Sequence, residues 1–281
     1  MGVPMSLNLL EAGHELAVWG RNPEKLKDVI EAGAHPVKTP KAMAEACNII
    51  FLCVFDTAAV KEVVFGSNGI LEGASDNLMV VDHSSIHPDR TKEMGAKLKS
   101  ETGARWIDCP VSGGRYGAQN GTLVMMAGGD SRDIERLRPL VTATSQRLTH
   151  MGPIGCGQAT KLVNQAVIGA EIAVLAEMFG FANRYGVKVK EIPDALAGGW
   201  ADSTVLQDHA RRMIRADYWE TAPGNTVKDL NNVCEMGRTT GSPMPIAALT
   251  TELYRYLDAQ GHSSKGQIGF MHLYVLSLIH I

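Results

Sequence analysis

The 281-residue sequence predicts an α/β fold class, in which a doubly wound parallel sheet domain is followed by an all-helical domain. Two observations carry this prediction. Residues 1–151 alternate short apolar runs with amphipathic segments, which is the pattern of consecutive β-α-β units. After Gly157 the β-branched runs almost vanish and helical patterns follow one another. The sequence therefore predicts a sheet domain over 1–151, a helical domain over 152–265 with a hinge near Gly152–Gly157, and an unassigned apolar tail over 266–281.

The predicted sheet domain is built from short strands separated by helical segments. The run 48–55 (NIIFLCVF) is continuously apolar, as expected of a strand buried on both faces of a parallel sheet. A doubly wound domain normally begins with a strand and a glycine turn, yet here a helix comes first. We expect about ten residues of such a start to be missing before Met1. The other strands are predicted over 15–19, 78–82, 105–108 and 123–127, and helices over 4–13 and 24–32.

The second half is predicted to be helical, beginning with one long helix over 159–185 that stops at Gly186. The final segment, 266–281, breaks this pattern and is apolar on all sides. We interpret it as a foreign or frame-shifted tail, and a buried C-terminal segment is the alternative. Further helices are predicted over 191–197, 203–216, 225–240 and 246–260.

Composition and charge exclude several classes of function. The chain is 45% hydrophobic and 20% charged, which is typical of globular proteins. With 27 basic and 30 acidic residues the net charge is -3, so no basic field for nucleic acid is present. The five cysteines lack C-x-x-C spacing, which argues against zinc and redox motifs and favours reduced, intracellular thiols.

Polar residues interrupt the most apolar stretch of the chain, residues 162–182. We therefore expect no membrane span. The N-terminus shows no secretion signal, so a cytoplasmic location is the expectation, with a mitochondrial precursor as the open alternative. The interrupting residues are Asn164, Gln165, Glu171 and Glu177.

The end of the second strand of a dinucleotide-binding sheet faces the adenosine ribose. An acidic residue there binds the ribose hydroxyls of NAD, whereas an arginine accommodates the 2′-phosphate of NADP. The sequence Gly20-Arg21-Asn22 follows the strand predicted over 15–19 and contains no acid. Arg21 therefore favours NADP, although a solvated turn arginine is the plainer interpretation.

Small hydroxyl residues follow two other predicted strands. Ser84 and Ser85 come after the strand over 78–82, at the carboxyl end, where α/β sheets bind ligands. A helix N-cap is the ordinary alternative. Ser112 precedes Gly113 and Gly114, which together offer a hydroxyl and exposed backbone N–H groups to a carboxylate. A plain glycine turn would have the same sequence.

A glycine-rich turn leads into the long helix, and Lys161 lies about one turn inside it. Asn164 and Gln165, at i+3 and i+4, share its face. A lysine in a cleft can donate or accept a proton, whereas a surface lysine is the commoner case. Lys228 and Asp229, in a later helix, are by themselves only a charged pair.

In their order and spacing these motifs resemble the β-hydroxyacid dehydrogenase family, which includes 3-hydroxyisobutyrate dehydrogenase and 2-hydroxy-3-oxopropionate reductase. The resemblance runs from Met1 to about Ser264. It is carried by the segments Met1–Leu9 (M-G-x-P-M-x-x-N-L), Asp108–Gly114 (D-x-P-V-S-G-G), Gly155–Gln165 (G-x-G-x-x-x-K-x-x-N-Q) and Lys228–Asp229.

The resemblance implies a Rossmann-like NAD(P)-binding domain, a helical domain that also makes subunit contacts, and an active site between them. It implies an enzyme that interconverts a small 3-hydroxy acid and its semialdehyde, with Lys161 as general acid/base. The implied substrate-binding residues are Ser112, Gly113, Gly114, Asn164 and Gln165. The implied cofactor-binding residues are Gly2, Arg21, Asn22, Val54, Phe55, Ser85 and Lys228, and no metal is implied.

The cofactor is expected to be NADP or NAD, with NADP favoured, and the partner a small carboxylate-bearing substrate rather than nucleic acid or membrane. A homodimer or homotetramer is expected. Two alternatives stay open: a reductase of another small aldehyde acid such as glyoxylate or succinic semialdehyde, and a non-catalytic member that binds a dinucleotide or a protein. Because the first glycines of the phosphate-binding turn are absent, the resemblance also implies weakened cofactor binding.

Overall fold

A computed structural model describes residues 1–218, 224–262 and 265–274, and the chain divides into two compact units. The first unit, Met1–Lys161, is the predicted α/β domain, and the second, Leu162–Ile281, is helical. The division falls inside the long helix rather than at the glycine turn before it.

The strands of the first unit form two sheets. A two-stranded parallel sheet joins β1 and β2, and a larger sheet has the order β3-β4-β5-β7-β6, with β8 also paired to β7. Strands β3, β4 and β5 are parallel, whereas β7 runs antiparallel to β5 and β6 and parallel to β8. The predicted doubly wound sheet is present, and its last strands reverse direction. The strands are β1 Ala17–Val18, β2 His35–Pro36, β3 Ile49–Leu52, β4 Met79–Asp82, β5 Arg105–Asp108, β6 Val111–Ser112, β7 Leu123–Gly128 and β8 Ser145–Gly152.

Helices between the strands begin at side-chain caps that the sequence supplies. Thr39 accepts a hydrogen bond from the backbone N–H of Ala42, and Asp56 accepts one from Ala59. Single 3₁₀ turns, Pro23–Leu26 and Ile70–Gly73, complete the connections. The helices are α1 Gly2–Glu11, α2 Lys27–Glu31, α3 Pro40–Ala46, α4 Thr57–Phe65, α5 Pro88–Thr102, α6 Gly114–Gln119 and α7 Ser131–Val141.

Both faces of the larger sheet are buried, as the continuous apolar runs predict. Every residue of β4 is buried. Val80 belongs to a cluster with Ile50 and Leu98, whereas Met79 and Val81 belong to a second cluster with side chains of β5 and β7. Because successive side chains of a strand point to opposite faces, these two clusters are the two sides of one sheet.

The described residues of the second unit form a helical body around a large apolar cluster and a smaller one, whose buried residues are Leu162, Val233 and Ala247. Phe179, Tyr254 and Phe270 are buried in the large cluster, and the rings of Tyr254 and Phe270 meet edge to face at 4.5 Å. A π-helical turn, Leu206–Ala210, leads into α10. The helices are α8 Cys156–Tyr185, which begins in the first unit, then α9 Ile192–Leu196, α10 Arg211–Arg215, α11 Gly224–Thr240, α12 Pro245–Ala259 and α13 Met271–Tyr274.

The structure of the C-terminal segment differs from the foreign or frame-shifted tail that the sequence suggested. A 3₁₀ turn, Gln267–Phe270, leads into α13, and Ile268, Phe270 and Met271 are buried in the core of the second unit. The described residues 266–274 are therefore an integral part of this unit, and the foreign-tail interpretation is wrong for them. Residues 275–281, and Ser264 at the expected end of the resemblance, lie outside the described part.

Helix α8 is long and apolar enough to cross a membrane by length and composition, although its polar residues had argued against a span. This is weak evidence, because the core helix of a soluble protein meets the same criterion. Ile172, Ala176 and Phe179 of this helix lie in the large apolar cluster of the second unit.

Candidate active site

The carboxyl ends of β3, β4 and β5 lie side by side in the first unit. The three strands are parallel, and their last residues are in register: Leu52 opposite Asp82, and Asp82 opposite Asp108. This edge is where α/β sheets bind ligands. The structure therefore has the segments that carry Val54 and Ser85 directly after neighbouring strand ends, whereas Ser112 is the last residue of β6, which β7 separates from β5.

The polar residues of the loop after β4 make different hydrogen bonds. Ser84 is buried, and its hydroxyl accepts a hydrogen bond from the backbone N–H of Val54 at 3.0 Å. The N-cap of α5 is neither serine: the Nδ1 atom of His87 accepts a hydrogen bond from the N–H of Asp89 at 3.2 Å. Ser85, which is half-buried, is therefore not the cap of α5.

A carboxyl and an imidazole are buried beside this loop. Burial raises the pKa of Asp82 to about 7, even though its Oδ1 accepts a hydrogen bond from the N–H of Ser84 at 2.9 Å. Burial lowers the pKa of His83 to about 4, and the Nδ1 atom of His83 lies 2.6 Å from the carbonyl oxygen of Cys109. His83, stacked on Phe51, is thus a neutral imidazole at neutral pH and not an imidazolium acid.

The raised pKa of Asp82 predicts a pH-dependent stability. The folded chain keeps this proton up to a higher pH than the unfolded chain, so stability falls as the pH rises from about 4 to 7. Asp82→Asn keeps an acceptor for Ser84 and removes the ionisation. Urea unfolding should therefore show that the variant gains stability relative to the parent, by on the order of 1 kcal/mol or more, between pH 4 and pH 8. The exposed substitution Asp28→Asn is the control, and a parallel pH response of Asp82→Asn and parent would contradict the burial argument.

The loop predicted to hold a carboxylate has the required backbone. Ser112 is the last residue of β6, and Gly113 is the N-cap residue of α6, with a φ of 121°. Gly114 follows with a φ of 61°, and both glycines are exposed. Residues with a side chain rarely adopt these left-handed conformations, so glycine is needed here. The turn leaves a hydroxyl and accessible backbone close together in the chain.

A buried carboxylate holds the start of α8. The Asp108 Oδ1 atom accepts a hydrogen bond from the N–H of Gly155 at 2.7 Å, and Oδ2 accepts one from the N–H of Gln158 at 2.8 Å. Burial raises the pKa of Asp108 to about 6, and these backbone hydrogen bonds oppose the rise. Lys161 follows one turn later and is itself only 9% exposed. A buried lysine is uncommon, which separates Lys161 from the surface lysines of the chain.

The predicted residues of the second unit form a row of polar contacts. The Asn164 amide donates to Gln165 Oε1 at 3.0 Å, and the Gln165 amide donates to Asp229 Oδ2 at 2.8 Å. Lys228 Nζ lies 3.4 Å from Asp229 Oδ1. Buried Asp229 thus links Gln165 to Lys228. From the sequence alone Asp229 is only half of a charged pair with Lys228. Its contact with Gln165 cannot be predicted, because α8 and α11 are far apart in the chain.

Among the remaining predicted cofactor residues of the first unit, Gly2 is half-buried and the others are exposed. Gly2 begins α1, and Phe55 is 55% exposed after β3. Arg21 and Asn22 are exposed after β1, and Asn22 Oδ1 accepts a hydrogen bond from the N–H of Glu24 at 3.0 Å. Asn22 therefore has a capping role whether or not it contacts a ligand. Among the described residues, no group of three or more His, Cys, Asp or Glu side chains could hold a metal ion.

Both units match family models. Residues 1–152 match the NAD binding domain of 6-phosphogluconate dehydrogenase. Residues 155–274 match the NAD-binding domain of NADP-dependent 3-hydroxyisobutyrate dehydrogenase, which also covers the described part of the tail.

Individual proteins agree with these matches. The chain is 37% identical over 267 residues to the 2-hydroxy-3-oxopropionate reductase of Escherichia coli K12, covering 94% of this chain and 90% of the relative. The 3-hydroxyisobutyrate dehydrogenase of Mycobacterium tuberculosis with L-serine superposes with a TM-score of 0.88 at 23% identity, covering 97% and 95% of the two chains. A structure of Psf3 with NADP+ and 2-OPP has a TM-score of 0.87 at 23% identity, covering 99% and 97%. The chain belongs to the β-hydroxyacid dehydrogenase family of oxidoreductases, with NAD or NADP as its cofactor.

Proposed function

We propose that the chain interconverts a small 3-hydroxy acid and its semialdehyde, with Lys161 as the general acid/base. The observation that carries the proposal is the burial of Lys161, one turn inside a helix whose start is fixed to the end of β5. The relative named 2-hydroxy-3-oxopropionate reductase supports this substrate class.

The first unit suits a nicotinamide dinucleotide. Helix α1 has no acidic residue in its first turn and no side-chain cap, so its N-terminal N–H groups suit a pyrophosphate. The strand ends of β3 and β4 carry Val54 and Ser85, and exposed Arg21 follows β1. These positions are where a dinucleotide lies on a doubly wound sheet.

When bound, the dinucleotide supplies or accepts the hydride. The work of the chain is then orientation and proton transfer. Ser112 and the N–H groups of Gly113 and Gly114 bind the substrate carboxylate, and Asn164 orients the substrate with help from Gln165. Lys161 donates a proton to the carbonyl oxygen during reduction and removes it from the hydroxyl during oxidation.

A turnover assay with a panel of aldehyde acids and both dinucleotides tests the proposal. The panel contains 2-hydroxy-3-oxopropionate, methylmalonate semialdehyde, glyoxylate and succinic semialdehyde, and cofactor oxidation is followed by absorbance. We expect the highest kcat/KM for a three- or four-carbon 3-oxo acid. A clear preference for glyoxylate or succinic semialdehyde would assign the chain to another aldehyde acid, and binding of dinucleotide without any turnover would make it a non-catalytic member.

Arg21 carries the proposed preference for NADP. Its guanidinium can pair with a 2′-phosphate through charge-assisted hydrogen bonds, which are stronger than neutral ones. Arg21→Ala should weaken NADP binding by about tenfold or more, equal to about 1.4 kcal/mol, and leave NAD binding nearly unchanged, as measured by fluorescence titration. Lys25→Ala, which removes an exposed charge four residues away, is the matched control. Equal losses for both dinucleotides would mean that Arg21 serves the adenosine and does not select the phosphate.

We also infer a homodimer or homotetramer, and we place the chain in the cytoplasm. Exposed apolar side chains on α8 support self-association, because monomeric proteins rarely expose large contiguous apolar patches. They are Val163, Val167, Val174, Met178, Phe181 and Tyr185.

A further inference from the structure

The start of α8 is held by a residue from a distant strand rather than by its own N-cap. The first-turn N–H groups of a helix lack acceptors within the helix. Here one carboxylate, that of Asp108 at the end of β5, accepts from the N–H groups of both Gly155 and Gln158. Asp108 is fully buried, so water does not compete for these hydrogen bonds. A negative charge at a helix N-terminus is favourable, and most of all where it is shielded from solvent.

Two glycines make this close approach possible. A Cβ atom on Gly157 would lie 2.8 Å from Asp108 Oδ2, and one on Gly128 would lie 2.6 Å from Asp108 Oδ1. Both distances are shorter than real Cβ atoms show. The glycine at position 157, which forms part of the sequence motif around Lys161, is therefore explained by the close approach of strand backbone as well as of the Asp108 carboxylate, because the carbonyl oxygens of Asp108 and Met126 would lie nearest to its Cβ atom, at 2.5 Å.

Gln158 also joins the start of α8 to the loop that follows a second strand, β4. Its side chain is almost fully buried, its Nε2 donates to the carbonyl oxygen of Ser84 at 2.7 Å, and its Oε1 accepts from the N–H of Ile86 at 3.1 Å. Ser85 lies between these two contacts. The same helical residue is thus bonded to Asp108 through its backbone and to the loop of Ser85 through its side chain.

We propose that Asp108 is a positioning residue for the reaction at Lys161, because it fixes the first turn of α8 on the end of β5 and, through Gln158, on the loop that carries Ser85. The proposal rests on the proposed function of Lys161. Lys161 is three residues after Gln158, so a shift of the first turn moves its amine directly. A displacement of about 1 Å in a catalytic group can cost about 10²-fold in rate.

The test compares Asp108→Asn with Asp130→Asn. Asp130 also accepts a hydrogen bond from a helix N–H, that of Arg132 at 2.9 Å in α7, so it controls for the loss of a capping charge. In Asp108→Asn one side-chain oxygen becomes an amide donor that cannot accept from a backbone N–H. We expect kcat to fall by about 10–100-fold with substrate KM changed by less than about threefold, and Asp130→Asn to keep kcat within about twofold. Hydrogen–deuterium exchange of the peptide 153–160 should become faster in Asp108→Asn alone.

Gln158→Ala keeps the charge of Asp108 and removes only the second link, so it tests the proposal even where Asp108→Asn fails to fold. We expect a smaller loss of kcat and faster exchange in the peptide that contains Ile86. Unchanged kcat and unchanged exchange in the folded variants would overturn the positioning role. Lys161→Ala, measured beside them, separates the two ideas: if it retains full activity, the proposed function of Lys161 fails, whereas its inactivation together with a fully active Asp108→Asn overturns the role of Asp108 alone.

Discussion

Lys161→Ala is expected to lower kcat by about 10²–10⁴-fold, which is the usual contribution of a general acid/base. The carbonyl oxygen would then have to take its proton from water, without an oriented donor. Dinucleotide binding should change by less than about threefold, because the proposed contacts of the cofactor lie at Gly2, Arg21, Val54, Ser85 and Lys228. Steady-state kinetics and a fluorescence titration of the same preparation measure both quantities.

The matched control for this variant is Lys188→Ala, which removes an exposed lysine of the second unit. It should keep the kcat of the parent. A kcat of Lys161→Ala within about threefold of the parent would remove Lys161 from the mechanism and leave this buried lysine without an assigned role.

Ser112→Ala is expected to raise the KM of a carboxylate-bearing substrate, with a smaller effect on kcat. A hydrogen bond to a charged group contributes roughly 1.5–3 kcal/mol, which corresponds to about 10–150-fold in affinity. The exposed variant Ser100→Ala is the control for loss of a hydroxyl.

A substrate analogue sharpens the Ser112 experiment. With an aldehyde that lacks the carboxylate, Ser112→Ala and the parent should have the same KM, because the interaction is absent in both. A loss that persists with this neutral aldehyde would show that Ser112 acts on the fold of the loop, and the carboxylate site would then lie elsewhere.

The sequence predicted the positions of the central strands well, because strands buried on both faces are continuous apolar runs in the sequence. The apolar runs 48–55 and 78–82 correspond to β3 and β4, and Arg105–Asp108 was predicted with the observed bounds. Strands β2, β6 and β8 were missed. β2 and β6 have two residues each and are too short for a periodic pattern, and β8 has polar, largely exposed residues along its length.

The tail shows where a composition argument fails. Residues 266–274 lack helical periodicity because Ile268, Phe270 and Met271 are all buried against the cluster around Tyr254. A segment enclosed on several sides needs no polar face. Its burial depends on tertiary neighbours that no local pattern reveals.

The contacts of Asp108 and Asp229 in the candidate site could not be predicted from the sequence, for a related reason. Asp108 was quoted as part of a motif, yet its partners Gly155 and Gln158 are nearly 50 residues away. Asp229 likewise meets Gln165 across 64 residues. Sequence spacing identifies groups on one helix face, such as Lys161 and Asn164, whereas contacts between elements emerge only from the fold.

The most direct test of the central claim is isotope transfer from the cofactor. The chain is incubated with its preferred aldehyde acid and a reduced nicotinamide dinucleotide that carries deuterium at C4 in the transferred position, and the product is analysed by mass spectrometry and NMR. The account predicts a 3-hydroxy acid with one deuterium on the carbinol carbon, and no deuterium at that carbon when unlabelled cofactor is used in D₂O. Product without cofactor-derived deuterium, or no product from any aldehyde acid despite bound cofactor, would contradict it.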